Sequence, residues 1–186
     1  MTRFPPLSDA DWPGEIADLA QGFAGRLNVY RVMAHNPALL RAWTGLRQHV
    51  VIDNALGAQR SEVAILRTGV RLGSSYEWNQ HISRARACGM ADARIASIAG
   101  PLSEMTAEDA VIAGAVDELF RDKRLSEARQ TALLDLVGTA GLFDLIATVG
   151  MYSTLGYILN SCDTPLDDDV AAELAAQPFA GDPGAE

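Results

Sequence analysis

The chain has 186 residues, of which 48% are hydrophobic and 21% are charged, and its formal net charge is −9. This size and composition are typical of one globular domain whose core needs no disulfide or metal to hold it together. The acidic balance argues against binding to nucleic acid or to an anionic membrane, because both need clusters of Lys and Arg.

Helical patterns follow one another along nearly the whole chain. Capping residues, prolines and glycines place the predicted helices at 15–25, 37–53, 59–72, 75–88, 91–98, 106–121, 126–138 and 140–160, with a short one after Pro165. No alternation typical of strands occurs. The sequence therefore predicts an all-α fold, with an N-terminal arm (1–12), one helical domain (13–176) and a flexible tail (177–186).

The cysteines and the apolar segments bear on the cellular compartment. Cys88 and Cys162 belong to no ligand-like cluster, so they form either one disulfide or two buried thiols. The N-terminal segment does not have the basic start and following apolar run of a signal peptide, so none is predicted. The apolar region 132–160 contains Asp135 and Asp144, so we expect no clean membrane span. These features predict a soluble, cytoplasmic protein.

The segment Ser74-Ser-Tyr-Glu-Trp-Asn-Gln-His81 is the most informative part of the chain. Glu77 and His81 are one helical turn apart, so their side chains lie on the same face. A carboxylate in that position can fix the tautomer of an imidazole and raise its basicity, which prepares the imidazole for proton transfer. The same spacing is also common in solvated surface pairs, so the pair alone does not establish a site.

A second acid, Glu62, falls on a narrow stripe of the preceding helix with Leu66, Gly69 and Gly73. Small residues on a stripe permit close helix packing, so this face is predicted to be buried. Glu62 is then either an inward acid that belongs to a site, or an acid of the first turn that favours the helix dipole and contacts water.

Three arginines, Arg60, Arg67 and Arg71, lie on other sides of that helix. We expect them to form salt bridges, either on the surface or across an oligomer interface. Of the other candidates, Cys88 is either a small buried hydrophobe or a nucleophile. Tyr76 either donates a hydrogen bond into the pocket or packs in the core.

The remaining histidines, His35 and His49, lie in segments separate from His81. Because no set of three or four spaced ligands occurs, we expect neither a metal nor another cofactor. Motifs of zinc proteases, nucleotide-binding loops and serine hydrolases are also missing from the sequence.

The segments already described resemble the carboxymuconolactone decarboxylase family, which includes the AhpD-like alkylhydroperoxidases. The resemblance rests on Arg60-Ser-Glu-Val-Ala-Ile-Leu-Arg67, on Ser74 to His81 and on Ala87-Cys-Gly89, with supporting pieces at 35–43 and 143–167. It covers about 30–168 of the chain. It implies an all-helical fold and a homo-oligomer, commonly a trimer or a hexamer.

The family resemblance also implies roles for individual residues. In the peroxidase branch the motif is Cys-x-x-Cys-x-x-x-His, and aligning its histidine with His81 puts Ser74 and Glu77 at the two cysteine positions. Thiol peroxide reduction needs that cysteine pair. The Tyr-Glu-Trp-x-x-His variant resembles the cofactor-free decarboxylase side instead, in which a proton is transferred to a small carboxylated or lactone-like substrate.

On this interpretation His81 carries the proton, Glu77 is its partner, and Glu62 is a second acid/base or an orienting group. Tyr76, Trp78 and Ser74 are expected to bind the substrate. Two alternatives are an AhpD-like peroxidase that uses Cys88 alone, and a non-catalytic oligomeric binding protein.

Overall fold

The structure, a computed structural model, describes residues 3–180. Within that range the chain is all-helical, as the sequence predicts, and contains no strand. The α-helices are α1 (Asn28–Met33), α2 (Pro37–Arg47), α3 (Ala58–Leu72), α4 (Ser75–Ala87), α5 (Asp92–Ser97), α6 (Ala107–Asp122), α7 (Glu127–Ser161) and α8 (Asp168–Ala176). Shorter 3₁₀ segments span Asp9–Asp11, Gly14–Leu19 and Leu102–Glu104, and a π-helical segment, Gln48–Asp53, continues α2.

The core is organised around α3, which packs against α4, α6 and α7. Two apolar clusters meet at this helix, because Leu66 belongs to one cluster and Ile65 to the other. The first cluster includes Trp78, and the second includes Tyr152. Burying one large apolar side chain stabilises a fold by about 1.5–3 kcal/mol, so these clusters hold α3 and α4 firmly in place.

The N-terminal part differs from its predicted helices. Instead of a helix over 15–25, only the 3₁₀ segment to Leu19 forms, and α1 was not predicted. Glycine weakens a helix by about 1 kcal/mol relative to alanine, and the failed prediction contains two glycines. At Gly25 the chain folds back so tightly that a Cβ atom would lie 1.9 Å from the Ala20 carbonyl oxygen. Tertiary contact fixes α1 instead, because the backbone N–H of Asn28 donates to Asp167.

The longest helix, α7, covers both of the helices predicted for 126–138 and 140–160. The predicted break is present as a kink, since Gly138 has φ 69° and ψ −175°. We expected no clean membrane span, but α7 is long and apolar enough to cross a membrane by length and composition alone, with a mean hydropathy of 1.7 over 18 residues. Core helices pass the same test, and Leu133, Leu145 and Leu155 of α7 are buried in the core.

Residues outside the predicted helical domain also contact it. Phe179, in the predicted tail, packs edge-on against Trp78 with the ring centroids 6.1 Å apart. In the predicted arm, the backbone N–H of Leu7 donates to the carbonyl oxygen of Arg31 at 3.3 Å. The rest of the predicted tail, 181–186, lies outside the described residues.

The three arginines of α3 pair with acids of the same chain. Arg60 contacts Glu108 at 2.9 Å, and Arg67 and Arg71 both contact Asp117, at 2.7 and 2.6 Å. Arg67 corrects the expectation of a surface or interface residue, because it is buried and also donates to two backbone carbonyl oxygens. These arginines therefore give no support to an oligomer interface.

Candidate active site

The turn between α3 and α4 sets the position of the candidate site. Gly73 ends α3 in the left-handed conformation, with φ 59°, and Ser74 caps α4 by accepting the backbone N–H of Glu77. A Cβ atom at Gly69 would lie 3.4 Å from the Cβ of Glu77 and from the backbone nitrogen of Trp78. Glycine at this position therefore lets the two helices pack closely, which brings the acid of α3 near the histidine of α4.

The shortest contact in the site joins Glu62 of α3 to His81 of α4. Glu62 Oε2 lies 2.6 Å from His81 Nδ1, and the two side chains are 13% and 4% exposed. Because a carboxylate accepts hydrogen bonds, this geometry places a proton on Nδ1, which donates to Glu62. The other ring nitrogen, Nε2, then carries the lone pair. Glu62 thus lies inward, against His81, and is the group that can fix the tautomer.

The second acid, Glu77, approaches the opposite side of the imidazole. Its Oε2 lies 3.5 Å from His81 Nε2, and its side chain is only 4% exposed. Burial raises the pKa of Glu77 from its ordinary value of 4.5 to about 7, although His81 and Arg84 act in the opposite direction. Glu77 therefore exchanges a proton near neutral pH, and in its protonated form it can donate toward Nε2.

This geometry corrects the predicted pairing. The sequence favoured Glu77 as the residue that holds His81 in one tautomer, because the two are one turn apart. The acid on the neighbouring helix makes the shorter contact, at 2.6 Å against 3.5 Å. Helical spacing brings two side chains to one face, but it does not bring their polar atoms into hydrogen-bond geometry.

Two cavities lie on either side of His81. We call them the Glu77 cavity, which is about 20 Å³ and has room for about one water molecule, and the Glu62 cavity, which is about 230 Å³. Glu77 lines only the first and Glu62 only the second. Four residues line both cavities: Val51, His81, Arg84 and Tyr152. The imidazole therefore stands at a wall shared by two spaces, with one acid on each side.

Several polar residues of these walls were not predicted as site residues. Tyr152 of α7 packs edge-on against the His81 ring, with centroids 5.1 Å apart. Burial raises the pKa of its hydroxyl well above the ordinary value, so the hydroxyl stays protonated. Tyr30, Arg47 and Gln80 line the Glu77 cavity. Arg84 shares a stripe of α4 with His81, which was visible in the sequence, whereas Tyr30, Arg47 and Tyr152 come from other helices.

The three predicted substrate-binding residues have other surroundings. Trp78 is 2% exposed in the core and lines neither cavity, so its predicted contact with substrate has no support from the structure. Ser74 also lines neither cavity, and its side chain caps α4. Tyr76 does line the Glu77 cavity, but its hydroxyl already donates to Asp167 at 2.5 Å.

The cysteines do not join the site. Both are thiols rather than a disulfide, and neither lines the Glu77 cavity or the Glu62 cavity. The Cys88 thiol donates to the carbonyl oxygen of Ala85 at 3.2 Å. Burial raises the pKa of both cysteine thiols above the ordinary value, which lowers the fraction of reactive thiolate.

The other histidines line neither the Glu77 cavity nor the Glu62 cavity. His49 contacts Asp144 at 2.7 Å, and His35 contacts the carbonyl oxygen of Pro5. Among residues 3–180, no group of three or more His, Cys, Asp or Glu side chains has an arrangement that could hold a metal ion. A metal-free, cofactor-free protein remains a prediction.

The comparison with family models agrees with the resemblance stated above. Residues 37–117, which contain α3, α4 and the Glu62–His81 contact, match the model of the carboxymuconolactone decarboxylase family. This segment is similar to that family, and the domain has the AhpD-like fold. No curated protein matches the chain.

Solved structures with the same fold are distant in sequence. A peroxidase-related protein from Ralstonia eutropha, described as an alkylhydroperoxidase AhpD core, is 16% identical, with a TM-score of 0.78 over 91% of this chain and 94% of that one. The debrominase Bmp8, solved as a cysteine-to-alanine variant with 2,3,4-tribromopyrrole, is 14% identical, with a TM-score of 0.72 over 95% and 97%. At such identities the likeness shows the fold alone.

Proposed function

We propose that this protein is a cofactor-independent lyase or isomerase that transfers a proton to or from carbon in a small, carboxylated or lactone-like substrate. The observation that supports this most is the position of His81 between two buried acids, with a cavity on each side. An imidazole with a fixed tautomer and a second proton donor nearby has the parts that general acid–base catalysis needs.

Each of the three side chains has a distinct role in this proposal. The Nδ1–H of His81 stays hydrogen-bonded to Glu62, while Nε2 exchanges a proton with the substrate. Glu77 supplies or takes up that proton, at little free-energy cost because its pKa lies near 7. If the reaction is a decarboxylation, the bond to the carboxyl carbon breaks, its electron pair enters a conjugated enolate, and CO₂ leaves. The proton is then added to the carbon.

The peroxidase alternative has less support from this chain. Its chemistry needs a reactive thiolate and a second thiol to form a disulfide. Ser74 and Glu77 stand at the two motif positions, and Cys88 and Cys162 have raised pKa values. The names of the structural neighbours do not change this, although the small ring compound bound to the debrominase supports a small-molecule ligand.

Incorporation of deuterium from the solvent tests the proposal on a panel of candidate substrates. The protein is incubated in D₂O with a panel of unsaturated lactones and carboxylic acids, and NMR follows both loss of C–H signals and release of CO₂. We expect His81→Gln to lower the rate on any active compound by about 10²–10⁴-fold. His49→Gln is the matched control, because His49 also contacts an acid but lies outside the site. Equal rates for both variants would contradict the proposal.

A further inference from the structure

The Glu77 cavity has more hydrogen-bond donors than the proton transfer uses. Arg84 and Arg47 both line it, and neither forms a salt bridge within residues 3–180. The Nε–H of Arg47 is buried without a hydrogen-bond acceptor in the described structure. The Arg47 guanidinium stacks over the Phe23 ring at 4.0 Å, which holds it in place, and a ligand oxygen would supply the acceptor that its Nε–H lacks.

Two neutral side chains add to the same wall. Tyr152 is 5% exposed, and its hydroxyl has no hydrogen-bond partner among the described residues. Gln80 is 6% exposed, and its Oε1 also lacks a partner there. Rotating the amide by 180° exchanges oxygen and nitrogen, so Gln80 can present a donor to the cavity. Four side chains around a small space can thus donate to one oxyanion.

The Glu62 cavity, in contrast to the donor-rich Glu77 cavity, is mostly apolar. Its apolar wall consists of Val50, Val51, Ile52 and Ile65. Two of its polar side chains are already satisfied by neighbours: the Ser61 hydroxyl donates to Asn54 at 2.9 Å, and the Asn54 amide donates to the carbonyl oxygen of Val50 at 2.8 Å. The Glu62 carboxylate would repel an anion in this cavity, whereas burial raises the pKa of Glu77 to about 7, so that Glu77 can line the other cavity as a neutral acid. It therefore suits an uncharged, mostly apolar group.

Resting on the proposed function, we infer that the substrate is a monocarboxylate, with one carboxylate oxygen in the Glu77 cavity, which has room for about one water molecule, on Arg84, Arg47 and Tyr152, and with an uncharged apolar body in the Glu62 cavity. His81 lines both cavities and so lies beside the carbons that join the carboxylate head of this substrate to its apolar body. The arginines stabilise the head as an anion. This carboxylate is therefore a binding group that the reaction retains, so the proposed proton transfer is then an isomerisation and not a decarboxylation. A second carboxylate has no cationic partner in the Glu62 cavity apart from the shared Arg84.

Binding of three six-carbon probes tests this inference without turnover. Hexanoate has the proposed head and body, hexanamide replaces the carboxylate by a neutral group, and adipate adds a second carboxylate. We measure each dissociation constant by ligand-observed NMR at about pH 6, where the carboxylic acids are ionised. Hexanoate should bind at least about tenfold more tightly than the other two, because a carboxylate gains charge-assisted hydrogen bonds from arginine.

Two arginine variants test which residue causes the preference for hexanoate over hexanamide. Arg84→Gln should weaken hexanoate binding by about tenfold or more and leave hexanamide binding unchanged within twofold. Arg86→Gln is the matched control, because Arg86 lies on the same helix but pairs with Asp92 at 2.8 Å. The inference would be overturned if hexanoate bound no more tightly than hexanamide, or more weakly than adipate. It would also be overturned if hexanoate binding were undetectable or were unchanged in Arg84→Gln.

The His81→Gln variant separates this inference from the proposed function. Deuterium exchange is measured on this variant, and the hexanoate preference is measured on the unmodified protein. If the hexanoate preference fails while deuterium exchange still depends on His81, only the monocarboxylate inference is wrong. If the preference holds while exchange is indifferent to His81, the proposed chemistry is wrong and the ligand class stands.

Discussion

Glu62 and His81, 19 residues apart in the sequence, are joined by a 2.6 Å contact between Oε2 and Nδ1 across two packed helices. This contact leaves Nε2 facing Glu77 at 3.5 Å. The orientation of the imidazole thus depends on the packing of α3 against α4. A change that alters that packing should alter the chemistry at His81 as well.

Replacing Glu62 by Gln tests the orienting contact. The amide keeps the shape but can donate as well as accept, so it no longer fixes the tautomer. We expect ¹⁵N NMR of the His81 ring to show a proton on Nδ1 in the unmodified protein and a mixture of tautomers in the variant, with turnover reduced at least about tenfold. A ring protonated on Nε2 in the unmodified protein would contradict the assigned geometry.

The pKa of Glu77 predicts a pH-dependent stability. A carboxyl group with a folded pKa near 7 and an ordinary value of 4.5 contributes stability that is fully present below pH 4.5 and is lost as the pH rises through 7. The loss amounts to at most about 3 kcal/mol. Urea unfolding between these pH values should therefore show Glu77→Gln gaining stability relative to the unmodified protein as the pH rises.

Glu108→Gln is the control for that experiment, because Glu108 is an exposed acid paired with Arg60. Its stability difference should not follow the same pH window. A constant difference between Glu77→Gln and the unmodified protein from pH 4.5 to 7 would mean that Glu77 titrates normally.

The ion pair between Arg67 and Asp117 should be important for folding. Burial alone would raise the pKa of Asp117, but the hydrogen bonds from Arg67 and Arg71 lower it to about 2. Asp117→Ala leaves the buried Arg67 guanidinium without its carboxylate, which should cost about 3 kcal/mol of unfolding free energy. Denaturant titration measures this, with Asp122→Ala as the control, since the exposed Arg121–Asp122 pair should contribute no resolvable stability.

The sequence predicted the features of the fold and the site that depend on residues close together in the chain. The stripe of Glu62, Leu66 and Gly69 and the one-turn spacing of Glu77 and His81 are local, so helical geometry gave both faces correctly. The family resemblance extended this to the fold. Roles that depend on side-chain geometry between helices, such as which acid contacts Nδ1, needed the packed structure.

The incorrect predictions depend on residues that are far apart in the chain. Arg67 was predicted to lie on the surface or at an interface, because its partner Asp117 is 50 residues away on α6. Tyr152 carries no local signal, since an aromatic residue on an apolar helix is typical of a core. Trp78 was expected to contact substrate as part of the motif, but it lies about 100° around the helix from Glu77 and packs in the core. Packing of distant segments therefore decides what a single sequence leaves open.

An oligomer remains a prediction, and its best support is now α7 rather than the arginines. Phe143 and Tyr157 lie on one face of α7 and are 65% and 61% exposed. Large exposed apolar side chains on one helix face favour a protein contact. Light scattering at micromolar concentration should give a multiple of 19.9 kDa, three- or sixfold by the family resemblance.

A variant with Phe143→Glu and Tyr157→Glu should reduce that mass to one chain, because a charge on each side chain opposes burial. Ala128→Glu, at an exposed position in the first turn of α7, is the control and should leave the mass unchanged. A single-chain mass for the unmodified protein would contradict the prediction.

The most direct test of the acid–base assignment compares kcat/KM for two variants on the same active compound from the deuterium panel. The double variant Cys88→Ser with Cys162→Ser removes every thiol from the chain, and His81→Gln removes the proposed proton carrier. We predict that the cysteine-free protein keeps its rate within a few-fold, while His81→Gln loses about 10²–10⁴-fold. A well-folded cysteine-free protein without activity, together with full activity in His81→Gln, would contradict the account and favour thiol chemistry.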